Sequence, residues 1–168
     1  MPKIIENLRA RLVEEARRQA LTEGYAAMTV RSVAKACSVG TGTLYNYFPN
    51  KNALTAAFML EDWERCMASI RETGAAAGTP RPVLQRIYDE LIAYVADHEA
   101  VIRDAGAAGG LPSAMPRYHA MLRAQLSEPL KRFCGEDFAA EFIAEALLTW
   151  TMAGKSFDDI CPLILKLF

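Results

Sequence analysis

The chain has 168 residues, 52% apolar and 23% charged, a composition that excludes a disordered protein and a length that gives a good core but not two large independent domains. No apolar run is long enough to span a bilayer, and the charged start MPKIIENLRARLVEEARRQ lacks the apolar stretch of a secretory signal, so a cytoplasmic protein with no membrane partner is expected. The net charge of −1 hides an asymmetry: residues 1–51 carry eight Lys/Arg against four acids, net +4, and the remainder 11 against 16, net −5, so only the front suits a polyanion.

Nearly every segment reads as helix. Ile5, Leu8, Leu12, Ala16 and Ala20 recur at helical spacing, and Gly24 suits a stop. Thr29 can cap a short helix with Val30, Val33 and Ala34 on one face. Ser38-Val39 makes a turn, and Gly40 or Thr41 opens a second short helix that ends near Phe48, before Pro49. Asn50 can cap a long helix from about Lys51 to about Thr73, and GAAAGTPRP, residues 74–82, reads as a loop. Val83, Leu84, Ile87, Leu91, Tyr94 and Val95 mark another amphipathic helix. A second break follows over Ala105–Pro112, where Gly106, Gly109, Gly110, Pro112 and Pro116 mark a segment able to gate a cavity. Helical character resumes at Ser113 and runs to Leu126, with Pro129 kinking the helix or starting a new turn capped by Ser127. A helix then carries Phe138, Phe142, Ile143, Ala146, Leu147 and Trp150, and Gly154 ends it. Ser156 with Asp158 and Asp159 caps a final apolar segment that Pro162 interrupts. The expected fold is all-α, with roughly nine helices counting the short ones.

Two short helices joined by a tight turn, between two longer ones, make a helix-turn-helix. Val33, Ala34, Cys37, Leu44 and Phe48 fall on its inner faces. Thr41, Gly42, Thr43, Tyr45, Asn46 and Tyr47 are left mostly outside. That outer set suits a helix entering a DNA groove. Gly42 lets the backbone approach, and otherwise costs about 1 kcal/mol against alanine inside a helix. The threonine and tyrosine hydroxyls reach phosphates or base edges, and Asn46 can pair with adenine. The second helix carries no Lys or Arg, so phosphate charge falls to Lys51, Arg31 and Lys35. Lys51 would also offer the start of the next helix. Arg17 and Arg18 read as a solvated face.

MTVRSVAKACSVGTGTLYNYFPNKNAL, residues 28–54, resembles the DNA-binding domain of the TetR family of bacterial transcriptional repressors, most specifically at Gly42-Thr43-Leu44-Tyr45, Tyr47-Phe48 and Lys51. Leu21 to Tyr25 also fits. The family often has glycine in the turn and serine capping the recognition helix, where this chain has Ser38 and Gly40. The resemblance implies a three-helix DNA-binding head over residues 1–50. It also implies a helical domain over 51–168 that dimerises and binds a small-molecule effector, with the two heads meeting a near-palindromic double-stranded operator. The DNA contacts it implies are Arg31, Thr41, Gly42, Thr43, Tyr45, Asn46, Tyr47 and Lys51.

The apolar helices over about 136–168 expose more surface than a short chain easily buries, which suits a homodimer interface. Trp63, Met67, Tyr88, Tyr94, His98, Tyr118, Met121 and Trp150 come from helices that would surround a central cavity for an apolar effector. Cys37, Cys66, Cys134 and Cys161 form no CxxC pair, and His98 and His119 add no ligand spacing, so reduced thiols and neither metal nor cofactor are expected. No phosphate loop or nucleophile elbow argues for an enzyme. His98, between Asp97 and Glu99, reads as a surface or pocket-edge histidine. The expected function is a ligand-responsive repressor. The alternative, motivated by the uncharged recognition helix, is a small-molecule-binding protein whose head no longer binds DNA.

Overall fold

The computed structural model describes residues 7–107 and 115–168, and the side chains of 7–104 and 118–168. Among the described residues there are eight α-helices and two short 3-10 segments, with no strand. In order they are α1 (Leu8–Thr22), α2 (Val30–Ala36), α3 (Thr41–Tyr45), α4 (Lys51–Ala76), α5 (Pro80–Ala107), α6 (Met115–Ser127), the 3-10 segment Glu128–Phe133, α7 (Asp137–Met152), α8 (Phe157–Ile164) and the 3-10 segment Leu165–Leu167. Ile5 and positions 108–112 of the expected second break lie outside the described residues, as do Gly109, Gly110 and Pro112 of the expected gate.

The chain forms two compact units, Met1–Asp62 with Asp97–Pro112, and Trp63–Ala96 with Ser113–Phe168. The head expected over residues 1–50 falls within the first. In that unit Leu8, Leu12, Ala16 and Ala20 of α1 share a core with Met28, Val33, Ala34, Cys37, Leu44, Phe48, Leu54, Phe58 and Val101. The second unit has its own core of Trp63, Met67 and Ile70, Val83 to Leu91, Leu126 and Leu130, and the inner faces of α7 and α8.

Local chemistry sets most helix starts. Thr29 and Ser32 form a reciprocal capping box at α2, as do Ser156 and Asp159 at α8. Asn50 Oδ1 accepts the Ala53 amide 2.8 Å away at the start of α4. Left-handed Gly24 (φ 92°) and Gly154 (φ 77°) follow the ends of α1 and α7.

The loop expected over 74–82 is shorter than the sequence implies. α4 runs on through Gly74 to Ala76, and α5 already begins at Pro80. Prolines are tolerated in a first helical turn, whose amides have no intrahelical acceptor. At the other end, Arg132 donates to the carbonyls of Gly74 (2.7 Å), Ala75 (3.2 Å) and Ala77 (2.6 Å), satisfying the acceptors a helix end leaves open. Gly74 packs closely on the Pro129 ring: a Cβ there would stand 3.0 Å from Pro129 Cβ, a tight contact with a rigid side chain. Gly74→Ala is therefore expected to destabilise the protein by about 1–3 kcal/mol, read as a lower urea midpoint at unchanged slope.

Two smaller expectations are also corrected. Ser127 does not cap the 3-10 turn; its hydroxyl donates back to Ala124 O at 2.9 Å, and Pro129 in the first turn starts the segment. α8 runs through Pro162, because buried Phe157, Ile160, Cys161 and Ile164 anchor the inner face across the missing amide.

Candidate nucleic-acid interface

α2, the turn and α3 are held by backbone bonds that place one face of α3 outward. Ser38 N donates to Lys35 O and Val39 N to Ala34 O, each at 3.0 Å, turning the chain sharply after α2. Ser38 takes φ 56°, the left-handed region that side chains disfavour by roughly 1–2 kcal/mol. Ser38→Gly is expected to stabilise the fold by about 1 kcal/mol, seen as a raised thermal midpoint, with the helix-turn-helix unchanged.

Leu44 and Phe48 are buried, as their spacing implied, and they fix the rotation of the segment. Tyr45 is then 51% exposed and Tyr47 45%. Thr43, Asn46 and Gly42 are exposed beside them, and Thr41 is half-buried at the helix start. A Cβ built on Gly42 meets nothing within 4 Å. The fold therefore does not require glycine at this position. Gly40 begins α3 without a side-chain cap, leaving first-turn amides open.

The head's cations are mostly committed within the protein. Arg9 pairs with Glu61 (3.3 Å) and lies over the Phe48 ring, and Arg11 donates to Cys37 O. Arg18 pairs with Glu15 and Glu23. Arg17 contacts Glu14, Glu61 and Asp62. Lys51 donates to Tyr25 O with its ammonium 3.8 Å from the Tyr25 ring centroid, while the Tyr25 hydroxyl donates to Asn52. Burial pushes the Lys51 ammonium below the ordinary lysine pKa, with Asp104 pulling the other way. Among the described cations of the head, Arg31 and Lys35 alone have no polar partner. They are exposed and one helical turn apart on α2.

Sequence reasoning placed Arg17 on a solvated face and His98 at the surface or a pocket edge, and both are buried. Arg17 lies in register with buried Val13 and Ala20, and His98 one turn before buried Val101. That spacing was a readable signal; what it could not supply was the partner, Asp62, which meets both.

The eight residues expected around an effector come from both units. Trp63 and Met67 belong to the second unit's core, and Tyr88 and Tyr94 pack half-buried against it. Trp63 stands edge-on to Tyr94 at 5.5 Å and donates its indole N–H to Gln125. Met121 is half-buried, while Tyr118 and Trp150 are exposed. His98 belongs to the first unit.

The end of the second unit leaves an apolar surface uncovered. Phe138 is 70% exposed, and Phe142 and Met152 share its face of α7, with Trp150 flanking it. On α8 and beyond, Leu163 (64% exposed), Leu167 and Phe168 stand out. Burial pushes the thiols of Cys37, Cys134 and Cys161 up, away from reactive thiolate. Among the described residues no group of His, Cys, Asp and Glu could hold a metal ion, and no helix is long and apolar enough to cross a membrane.

Residues 12–58 match the family model described as bacterial regulatory proteins, tetR family. The HTH-type transcriptional regulator UidR of Escherichia coli K12 is 36% identical over 64 residues, 38% of this chain and 33% of that protein. The HTH-type transcriptional repressor KstR of Mycolicibacterium smegmatis is 40% identical over 57 residues, 34% of this chain and 28% of that protein. The chain thus matches about a third of the length of these curated relatives. Fold likeness extends much further. Salmonella enterica GusR superposes with a TM-score of 0.64 at 23% identity, covering 98% of this chain and 96% of that one. The TetR family repressor AlkX from Dietzia gives 0.61 at 20% identity, covering 95% and 96%.

Proposed function

We propose, from the membership of this chain in the tetR family of bacterial regulatory proteins, that it is a ligand-responsive transcriptional repressor acting in the cytoplasm. The observation that carries this reading is the outer face of α3. Tyr45, Tyr47, Thr43 and Asn46 are exposed around a glycine that the protein's own packing does not need. In this reading α3 enters the major groove. Gly42 brings its backbone close, Thr41 and Thr43 with the two tyrosines bond phosphates and base edges, and Asn46 reads a base. α2 crosses the phosphate backbone and supplies charge through Arg31 and Lys35. Lys51 first has to leave Tyr25 before it can join them.

Two copies pair through the exposed faces of α7 and the C-terminal segment, so that two heads meet two half-sites of a near-palindromic operator. The effector is a small apolar molecule received in the second unit, where Trp63, Met67 and Tyr94 supply aromatic and soft apolar surface. Its binding releases the operator.

The direct test is a footprint of the purified protein on DNA flanking its own gene, repeated across a salt series. A two-fold protected site is expected. With only Arg31 and Lys35 free among the described cations of the head, the salt slope should be shallow. Arg31→Ala and Lys35→Ala should each lower it by roughly 2 for a dimer, because each substitution removes one phosphate-neutralising cation from both heads. No protection at low salt, in this DNA or in a random pool, would overturn the DNA-binding reading.

A further inference from the structure

The first unit buries a charged cluster that the DNA-contact surface does not use. His98 is 2% exposed, and Arg17 and Asp62 are also buried. Asp62 divides its carboxylate between two helices. Its Oδ1 faces Arg17 Nε of α1 at 2.9 Å, and its Oδ2 accepts from His98 Nε2 of α5 at 2.8 Å. The Arg17 guanidinium also meets Glu61 Oε2 at 3.1 Å and Glu14. The His98 ring lies nearly parallel to Phe58, with centroids 6.4 Å apart.

Taking such groups out of water is expensive, and apolar side chains of similar volume often serve stability as well or better. A cluster of this kind does offer something apolar packing lacks, namely a fixed geometry among the elements it joins. Here those elements are α1, α4 and α5. α1 shares its core with α2 and α3, so its placement is the placement of the whole DNA-contact surface. Beyond Asp62, α4 continues into residues of the second unit, and α5 arrives from that unit just before His98. Within the first unit an axial shift of either helix would change the geometry at this carboxylate, which meets both α1 and α5.

We propose that Asp62 is a positioning residue for the DNA-binding head, its carboxylate gripping α1 through Arg17 and α5 through His98. The inference rests on the DNA-binding reading, and it adds the means by which α4 and α5 set the pose of α1. Arg17 and His98 are thereby coupled through Asp62.

The test compares His98→Leu with His98→Gln in the full-length protein. Leucine keeps apolar contact with Phe58 but removes the donor. The glutamine amide can replace Nε2–H toward Asp62. Two readouts are taken on protein shown folded by circular dichroism at the assay temperature: operator affinity, and hydrogen exchange of the α1 amides around Arg17. H98L is expected to lose at least tenfold in operator affinity and to speed α1 exchange. H98Q should stay within twofold of the wild type in both. Wild-type values for H98L in both readouts would overturn the proposal, leaving His98 as packing alone. So would equal losses in H98L and H98Q, because then the donor does not matter. Should H98L not fold, H98N, polar but too short to reach Oδ2, takes its place under the same criteria. If the wild-type chain binds no DNA, the DNA-binding reading fails, and α1 exchange still decides the coupling by itself.

Discussion

Gly42→Ala is expected to cut operator affinity by at least tenfold while leaving the protein folded and up to about 1 kcal/mol more stable. The two effects have opposite signs for a physical reason. Inside the protein a Cβ at this position meets nothing within 4 Å, so alanine brings only its better helix propensity. On the outside the same methyl stands on the face that presents Tyr45, Tyr47 and Thr43, where it would hold the backbone of α3 away from the groove. Thermal unfolding and anisotropy binding on the same preparations check both halves. An alanine variant with wild-type operator affinity would show that α3 does not approach DNA along this face. Gly74→Ala is the internal contrast, a helical glycine whose replacement should lower stability because Pro129 fills the space.

On the proposed two-fold pairing, Phe142→Asp is expected to leave the protein monomeric and to lower operator affinity by more than a hundredfold. Phe142 is exposed beside Phe138 on α7, so the substitution disturbs no core contact within the chain. In a two-fold interface built on this face each copy would bury an added carboxylate without a partner, a large cost in an apolar setting. The affinity loss exceeds the direct effect because two linked heads bind with an effective concentration that separate heads lack, a gain of about 10²–10⁴. Sedimentation would report the mass and anisotropy the binding. A variant that remains dimeric would move the interface away from α7.

Several features were legible in the sequence because they are local. Leu44 and Phe48, four apart, declared which way the second short helix turns, and with them the outward set around Gly42. Thr29, Asn50 and Ser156 announced helix starts, since a capping side chain bonds an amide two or three residues away. Gly24 and Gly154 marked stops because the left-handed turn after a helix favours a residue without Cβ. The family resemblance likewise sits in one continuous stretch.

What the sequence left open depended on partners distant along the chain. Gly74 and the prolines near it look like a loop until Arg132, some 58 residues on, caps the helix end and Pro129 fills the glycine's side. The free cations of the head could not be told from the committed ones, because Lys51 is engaged by Tyr25 and Arg9 by Glu61 only once α4 folds back past α1. Arg17 and His98 follow the apolar stripe of their helices, yet their chemistry suggested an exposed or pocket-edge place, and Asp62, 36 residues before His98, meets both only in the folded chain. The sequence by itself determined most of the helices, the caps at Thr29, Asn50 and Ser156, and the outward side of α3, since those need only neighbours within a turn or two. Tertiary structure decided which charges remain available and which are buried, because a buried charge is set by what surrounds it in space.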